Sequence, residues 1–205
     1  VFAHWAPRAA GRFLDESAWE TTSFPAVANK TQWMFALPME LDGKGGIDLV
    51  LGAKGRGACV GWRRSPANPR DPGAWTFHSW YQAGWIMSLI SEDIDGDGDS
   101  DVVISDRRGK TPGLLWLENP GRKAVAEQPG RPWREHRMGL SGKEVFFVSL
   151  YDLDGDGRKE VAATVRPNRV ILLSAGADPR RPWREEHLEF SLARFGTAKA
   201  VRPGD

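Results

Sequence analysis

Two stretches of alternating acid and glycine, each preceded by an apolar run and followed by a β-branched one, constrain this chain more than any other feature. They are Asp93-Ile-Asp-Gly-Asp-Gly-Asp-Ser-Asp101 and Asp152-Leu-Asp-Gly-Asp-Gly-Arg-Lys-Glu160. Glycine at the fourth and sixth positions (Gly96, Gly98, Gly155, Gly157) lets the chain turn through backbone conformations closed to other residues. The carboxylates at positions one, three, five and nine can then converge on one hard cation. They are Asp93, Asp95, Asp97 and Asp101 in the first loop, and Asp152, Asp154, Asp156 and Glu160 in the second. The backbone carbonyl at position seven, from Asp99 or Arg158, completes an oxygen shell of the kind calcium takes. The competing reading is an acidic surface turn without a metal, and a repeated four-carboxylate spacing weighs against it. The spacing predicts Ca2+ in both loops.

A third copy lies upstream, Glu40-Leu-Asp-Gly-Lys-Gly-Gly-Ile-Asp48. Lys44 stands at position five, where an ammonium removes one ligand and repels a cation. The expectation here is a turn held by an ion pair from Lys44 to Asp42 or Glu40, without metal. The three loops begin at residues 40, 93 and 152, at intervals of 53 and 59. Between them the same features return in order. A β-branched strand follows each loop, and then a second strand (Val60–Trp62, Leu114–Trp116, Val170–Leu173). A proline- and arginine-rich connection leads to a Trp-to-His segment (75–78, 133–136, 183–187), and an apolar strand precedes the next loop. Four short strands per fifty-odd residues, with no sustained helical periodicity, define an all-β repeat protein, and this repeat length fits a four-stranded propeller blade.

These residues resemble the FG-GAP/VCBS repeat family, whose blades carry a D-x-D-G-D-G-x-x-D/E calcium loop between first and second strands. The resemblance is strong for 93–101 and 152–160 and weak for 40–48, and it covers nearly the whole chain. It implies a β-propeller and calcium. It does not fix a chemistry, because members range from integrin α-subunit headpieces to rhamnogalacturonan lyases and a fungal sugar dehydratase. The expected organisation is a partial blade at 1–22, blades at 23–79, 80–138 and 139–190, and the start of another at 191–205. Residues 1–7 and 19–22 align with outer strands, and 197–201 with an innermost strand. Propellers close with about four to eight blades. The expectation is therefore a segment of a longer propeller or, if the chain is complete, a homo-oligomer whose copies share a blade.

The formal net charge is +1, which gives no global field to attract nucleic acid or an anionic membrane. No apolar run approaches membrane-spanning length. Cys59 is the single cysteine, read as a small buried residue. Calcium loops of weak to moderate affinity fill where calcium is abundant, so an extracellular or periplasmic location is expected. No G-x-S-x-G, H-E-x-x-H or phosphate-binding glycine loop is present. His78, His136 and His187 recur at equivalent positions, which suits a structural role such as bonding a neighbouring backbone. Arg63, Arg64, Arg107, Arg108, Arg180 and Arg181 read as solvated charges of the connections, with contact to an anionic glycan as the sharper alternative.

Ten tryptophans raise the question of sugar stacking. Trp19, Trp75, Trp133 and Trp183 are repeat-equivalent and read as wedges between blades, leaving Trp33, Trp80 and Trp85 as ligand candidates. With Lys30, Gln32, Gln82, Lys143, Glu144 and Lys199, Trp33 and Trp85 form a candidate ligand rim at the channel mouth. The reading is a binding module, with carbohydrate or a protein partner as ligand, rather than an enzyme. A sugar-active enzyme of lyase or dehydratase type, with Lys143 or Lys199 as base, and a scaffold for assembly are the alternatives.

Overall fold

A computed structural model of the chain describes residues 2–24 and 31–202. Fourteen strands run in order: β1 (Phe2–Trp5), β2 (Glu20–Ser23), β3 (Gln32–Met39), β4 (Asp48–Lys54), β5 (Cys59–Arg64), β6 (Thr76–Gln82), β7 (Ile86–Glu92), β8 (Asp101–Asp106), β9 (Gly113–Glu118), β10 (Arg134–Gly139), β11 (Val145–Tyr151), β12 (Glu160–Val165), β13 (Arg169–Ser174) and β14 (Arg184–Glu189). Two short helices, α1 (Arg122–Glu127) and α2 (Leu192–Phe195), sit outside the strands. The first interrupts a connection that the sequence pattern left irregular. The strands form three four-stranded antiparallel meanders, β3 to β6, β7 to β10 and β11 to β14, and a two-stranded sheet of β1 and β2. This is an all-β fold of repeated sheets. The sheets of the described residues do not close into a ring.

Burial follows from strand order. The second strands carry β-branched and small residues (Val102, Val103, Ile104; Val161, Ala162, Ala163), and β8 and β12 are buried at every position because both of their faces are covered. β3 instead alternates exposed and partly covered residues, as a strand does with one face on a neighbour. One apolar core, around Val50, Trp62, Ile86, Ile104 and Trp133, joins the first meander to the second. Another, around Val103, Trp116, Met138, Val161 and Trp183, joins the second to the third. The wedge expectation holds for Trp133, whose ring stacks 4.1 Å from Trp80, and for Trp183, whose N–H donates to the Met138 carbonyl. It does not hold for Trp19, which is half-exposed against its own loop.

The register repeats as well. A bulge interrupts the pairing of first and second strands in every meander, between Trp33 and Phe35, Ile86 and Ser88, and Val145 and Val148. An added residue bends a strand and re-aims its neighbours, and all three bulges lie at the end of the sheets opposite the acidic loops. β6 continues to Gln82, so Trp80 and Gln82 belong to the outer strand of the first meander and not to the start of the next repeat. The segment 197–201 is not a strand. Its Lys199 carbonyl nevertheless accepts from the Phe147 N–H and the Thr164 hydroxyl, and its Val201 carbonyl accepts from Ser149.

Candidate metal centre

The three acidic loops join first to second strands and share one backbone. Position three folds back on position five: the Asp97, Asp156 and Lys44 N–H groups donate to Asp95, Asp154 and Asp42. Both oxygens of Asp93 accept from Gly96 and Gly98, and those of Asp152 from Gly155 and Gly157. Gly43 and Gly45 adopt the positive φ of Gly96 and Gly98, and a Cβ on Gly45 would meet the Ser65 carbonyl at 2.2 Å. The carboxylate at position nine ties each loop to the sheet. Asp101 accepts from Ile94 and Asn119, Asp48 from Leu41 and Ser65, and Glu160 from Leu153.

The loops differ in what faces the carboxylates. Asp93, Asp95 and Asp101 bring oxygens within 4.8 Å of one another, as do Asp152, Asp154 and Glu160. Two ligands on opposite sides of a hard cation bound at 2.3–2.6 Å stand roughly 5 Å apart, so both triads fit such an ion. Asp97 and Asp156 stay outside the triads. Asp97 accepts from the Asp99 N–H, and Asp156 is held by the backbone and guanidinium of Arg158. Burial pushes the Asp101 carboxyl up to about 7, with Asp95 and Asp97 adding to the rise. Asp95 is also raised, by burial and by its neighbour Asp97. Crowded acids that disfavour their own ionisation are the state a divalent cation reverses.

In the third loop the expected Lys44 ion pair does not form. Asp42 pairs with Arg64 at 2.5 Å and Glu40 with Arg122 at 2.6 Å. Arg64 reaches Asp42 because of register. Leu49, Val102 and Val161 pair with Arg63, Leu117 and Leu173, so the next residues along the facing strands, Arg64, Glu118 and Ser174, are equivalent beside their loops. The facing strand therefore places a guanidinium beside the third loop, a carboxylate beside the first and a hydroxyl beside the second; the first loop also meets a guanidinium, that of Arg180 from the third meander, shared between Asp95 and Glu118. Burial also pushes Asp48 up to about 6.

The arginines are the main correction to the sequence reading. Arg63 is buried over the Phe24 ring, Arg64 holds Asp42, and Arg180 bridges Asp95 and Glu118. Arg107 is largely covered, while Arg108, Arg181 and the bridging Arg180 are exposed. The histidines also differ from expectation, since their ring nitrogens meet side chains and not backbone. His136 is buried, stacked 4.5 Å from Trp116 and bonded to Glu118 at 2.5 Å; His78 meets Thr76, and the exposed His187 meets Glu185. Cys59 is half-buried, and burial raises its thiol.

The expected ligand rim is brought together in part. Lys30 lies outside the described residues. Trp80 is buried against Trp133, and Trp33 packs edge-on to Phe77 at 5.5 Å, so neither ring is open. Gln32 pairs in register with Lys54, and Gln82 is exposed at the end of β6. Trp85 lies under three cations, those of Lys54, Arg107 and Arg108, at 4.9, 4.8 and 5.2 Å from its ring centre. Glu144 joins this group through Arg107 at 2.9 Å, while Lys143 and Lys199 are exposed.

Residues 93–163 match the model of the FG-GAP-like repeat family. The match spans both acidic triads and the strands β8 to β11 between them, which supports the family resemblance over that part of the chain. No curated protein matches the chain significantly. No helix among the described residues is long and apolar enough to cross a membrane.

Proposed function

We propose that this chain is a calcium-stabilised β-propeller segment that works as a binding module outside the cytoplasm. The observation that carries the reading is one loop backbone used three times, with converging carboxylates in two copies and an arginine against the acid of the third. Oxygen-only donor sets at loop turns suit calcium among the common divalent ions. Asp93, Asp95 and Asp101 would hold one ion and Asp152, Asp154 and Glu160 the other, with Asp97, Asp156 and the carbonyls of Asp99 and Arg158 as further donors. The ions would supply charge neutralisation and crosslink each loop to its meander. In this reading the four-stranded meanders are blades whose first strands (β3, β7, β11) lie nearest the axis. Its units are the three meanders, β3 to β6, β7 to β10 and β11 to β14, so the expected boundary at 79/80 moves beyond Gln82, where β6 ends. Pairing of the β1–β2 sheet with inner strands of a further repeat, in the same chain or a second copy, would complete an outer blade and cover its edge.

The ligand is carbohydrate or a protein surface, met at the end of the sheets opposite the calcium loops, where Gln32, Trp85 and Glu144 gather. No observation of this structure favours the lyase or dehydratase reading over it. Melting with and without calcium tests the proposal. A ligand at about a hundred times its dissociation constant adds roughly 2.7 kcal/mol per site, so a chelator should lower the melting temperature by several degrees. A melting temperature indifferent to chelator would reject the reading.

A further inference from the structure

Six residues after the ninth loop position each repeat places a cation, namely Lys54, Arg107 and Arg166, and Arg108 adds a fourth. All stand where the second strands end, opposite the acidic loops. The register makes the equivalence structural: the N–H groups of Arg107 and Arg166 donate to the Trp85 and Glu144 carbonyls, and Lys54 pairs in the same register with Gln32, while a separate bridge ties it to Trp85 of the next repeat.

The charges here are arranged differently from those at the acidic end. There Arg64, Arg122, Arg158 and Arg180 each face a carboxylate. Here Glu144 alone serves Arg107 at 2.9 Å and Arg166 at 3.5 Å, while Lys54 and Arg108 meet no carboxylate at ion-pair distance among the described residues. An indole has two faces, so at least two of the three cations over Trp85 share one. From their distances to the ring centre, Lys54 and Arg108 stand no more than about 10 Å apart.

The platform is rigid. The buried Asp106 carboxylate accepts the N–H groups of Gly84, Trp85, Arg108 and Gly109 and the Tyr81 hydroxyl, fixing the indole and the Arg108 turn together. Arg107 is clamped between the Trp85 and Phe146 rings, 4.8 and 4.7 Å from their centres.

Resting on the binding-module reading, we propose that this end of the sheets binds a sugar acid, with its carboxylate held by Lys54 and Arg108 beside the Trp85 ring. Glu144 already illustrates the chemistry, being one carboxylate shared by two guanidinium groups from adjacent repeats. A second carboxylate supplied by a ligand would satisfy the cations that Glu144 leaves over, in charge-assisted bonds. Gln32, exposed beside Lys54, offers an amide donor and acceptor to sugar hydroxyls. The Trp85 ring carries the cations and is not a stacking surface, because they lie over it. The sequence signal for this site was present in the basic residue at the same offset in three repeats.

The test is calorimetric titration of the full, calcium-loaded chain at low ionic strength with trigalacturonate, its methyl ester and a sulfated neutral trisaccharide. The acid should bind, and the ester should bind at least about tenfold more weakly, in line with loss of a charge-assisted bond. Lys54→Gln and Arg108→Gln should each weaken the acid about tenfold while keeping the melting temperature, and Arg12→Gln, in the connection between β1 and β2, should change nothing. Equal binding of ester and acid, binding of the sulfated sugar alone, or full affinity in the Lys54→Gln/Arg108→Gln double variant would overturn the proposal. Failure of all three sugars to bind a chain that still takes up calcium would overturn it while leaving the calcium reading in place.

Discussion

The loops at 93–101 and 40–48 have the same turn geometry and opposite contents. Both fold position three back on position five, both place glycine at positive φ, and both bury a position-nine aspartate under backbone N–H donors. In the first, three carboxylates converge with a glutamate, Glu118, beside them, and Arg180 is shared between Asp95 and that glutamate. In the second, Lys44 and Arg64 stand where Asp97 and Glu118 stand, and Asp42 is completely buried against a guanidinium. The difference lies in the charge balance: Arg64 answers Asp42 alone and Lys44 replaces an acid, whereas Arg180 is shared with Glu118 and leaves the first triad with an excess of carboxylates. A side chain supplied from the facing strand can do within the fold what an ion from solution would do in the other loops.

That equivalence can be broken most severely at Arg64. Arg64→Ala leaves Asp42 buried without its cation, and removal of one partner of a buried pair costs about 3 kcal/mol. The denaturant midpoint should fall accordingly with or without calcium, and a neutral effect would show that the guanidinium only decorates the loop. Asp48 gives a second probe, expected to be somewhat smaller. Its carboxyl titrates near 6 when folded against an ordinary value near 3.8. The folded chain therefore holds a proton that the unfolded chain releases. Asp48 contributes stability at low pH and loses it as pH rises from about 4 to beyond 6, by about 2–3 kcal/mol. Asp48→Asn is itself destabilising, because its amide cannot accept both N–H bonds. Compared across that pH range by denaturant unfolding, its stability should nevertheless fall less steeply than that of the wild type. The smallest effect belongs to Asp97→Lys, which copies Lys44 into the first loop. One calcium site should weaken at least about tenfold, from charge repulsion and loss of a donor, while the melting temperature in chelator stays unchanged. Calcium affinity unchanged at both sites would remove position five from the coordination.

Much of this was legible in the chain because it depends on local order. The D-x-D-G-D-G spacing determines the turn, and runs such as Val102-Val103-Ile104 between turn residues determine strands, so the meanders and both triads follow from neighbours in sequence. What the sequence hid depends on register and distance. Arg64 reaches Asp42 only because β5 lies beside β4, and Arg180 reaches Asp95 from 85 residues away. The arginines read as solvated connections are therefore structural partners. Trp80 reads as a ligand platform from local sequence alone, but β6 carries it into the interface with Trp133. The cations over Trp85 belong to two hairpin ends, those after β4 and β8, that only packing of the meanders brings together.

The comparison also prescribes a gain of function. Glu40→Asp, Lys44→Asp and Arg64→Ser together give the third loop the acids of the second at positions one, three and five, with Asp48 kept at position nine and Ser174 as the model for position 64. Calorimetric titration of calcium into the wild type and this triple variant is the most direct test of the account. It predicts two sites per chain in the wild type and three in the variant. Three sites in the wild type, none, or two in both proteins would contradict the claim that Arg64 and Lys44 exclude the ion from a loop otherwise built to hold it.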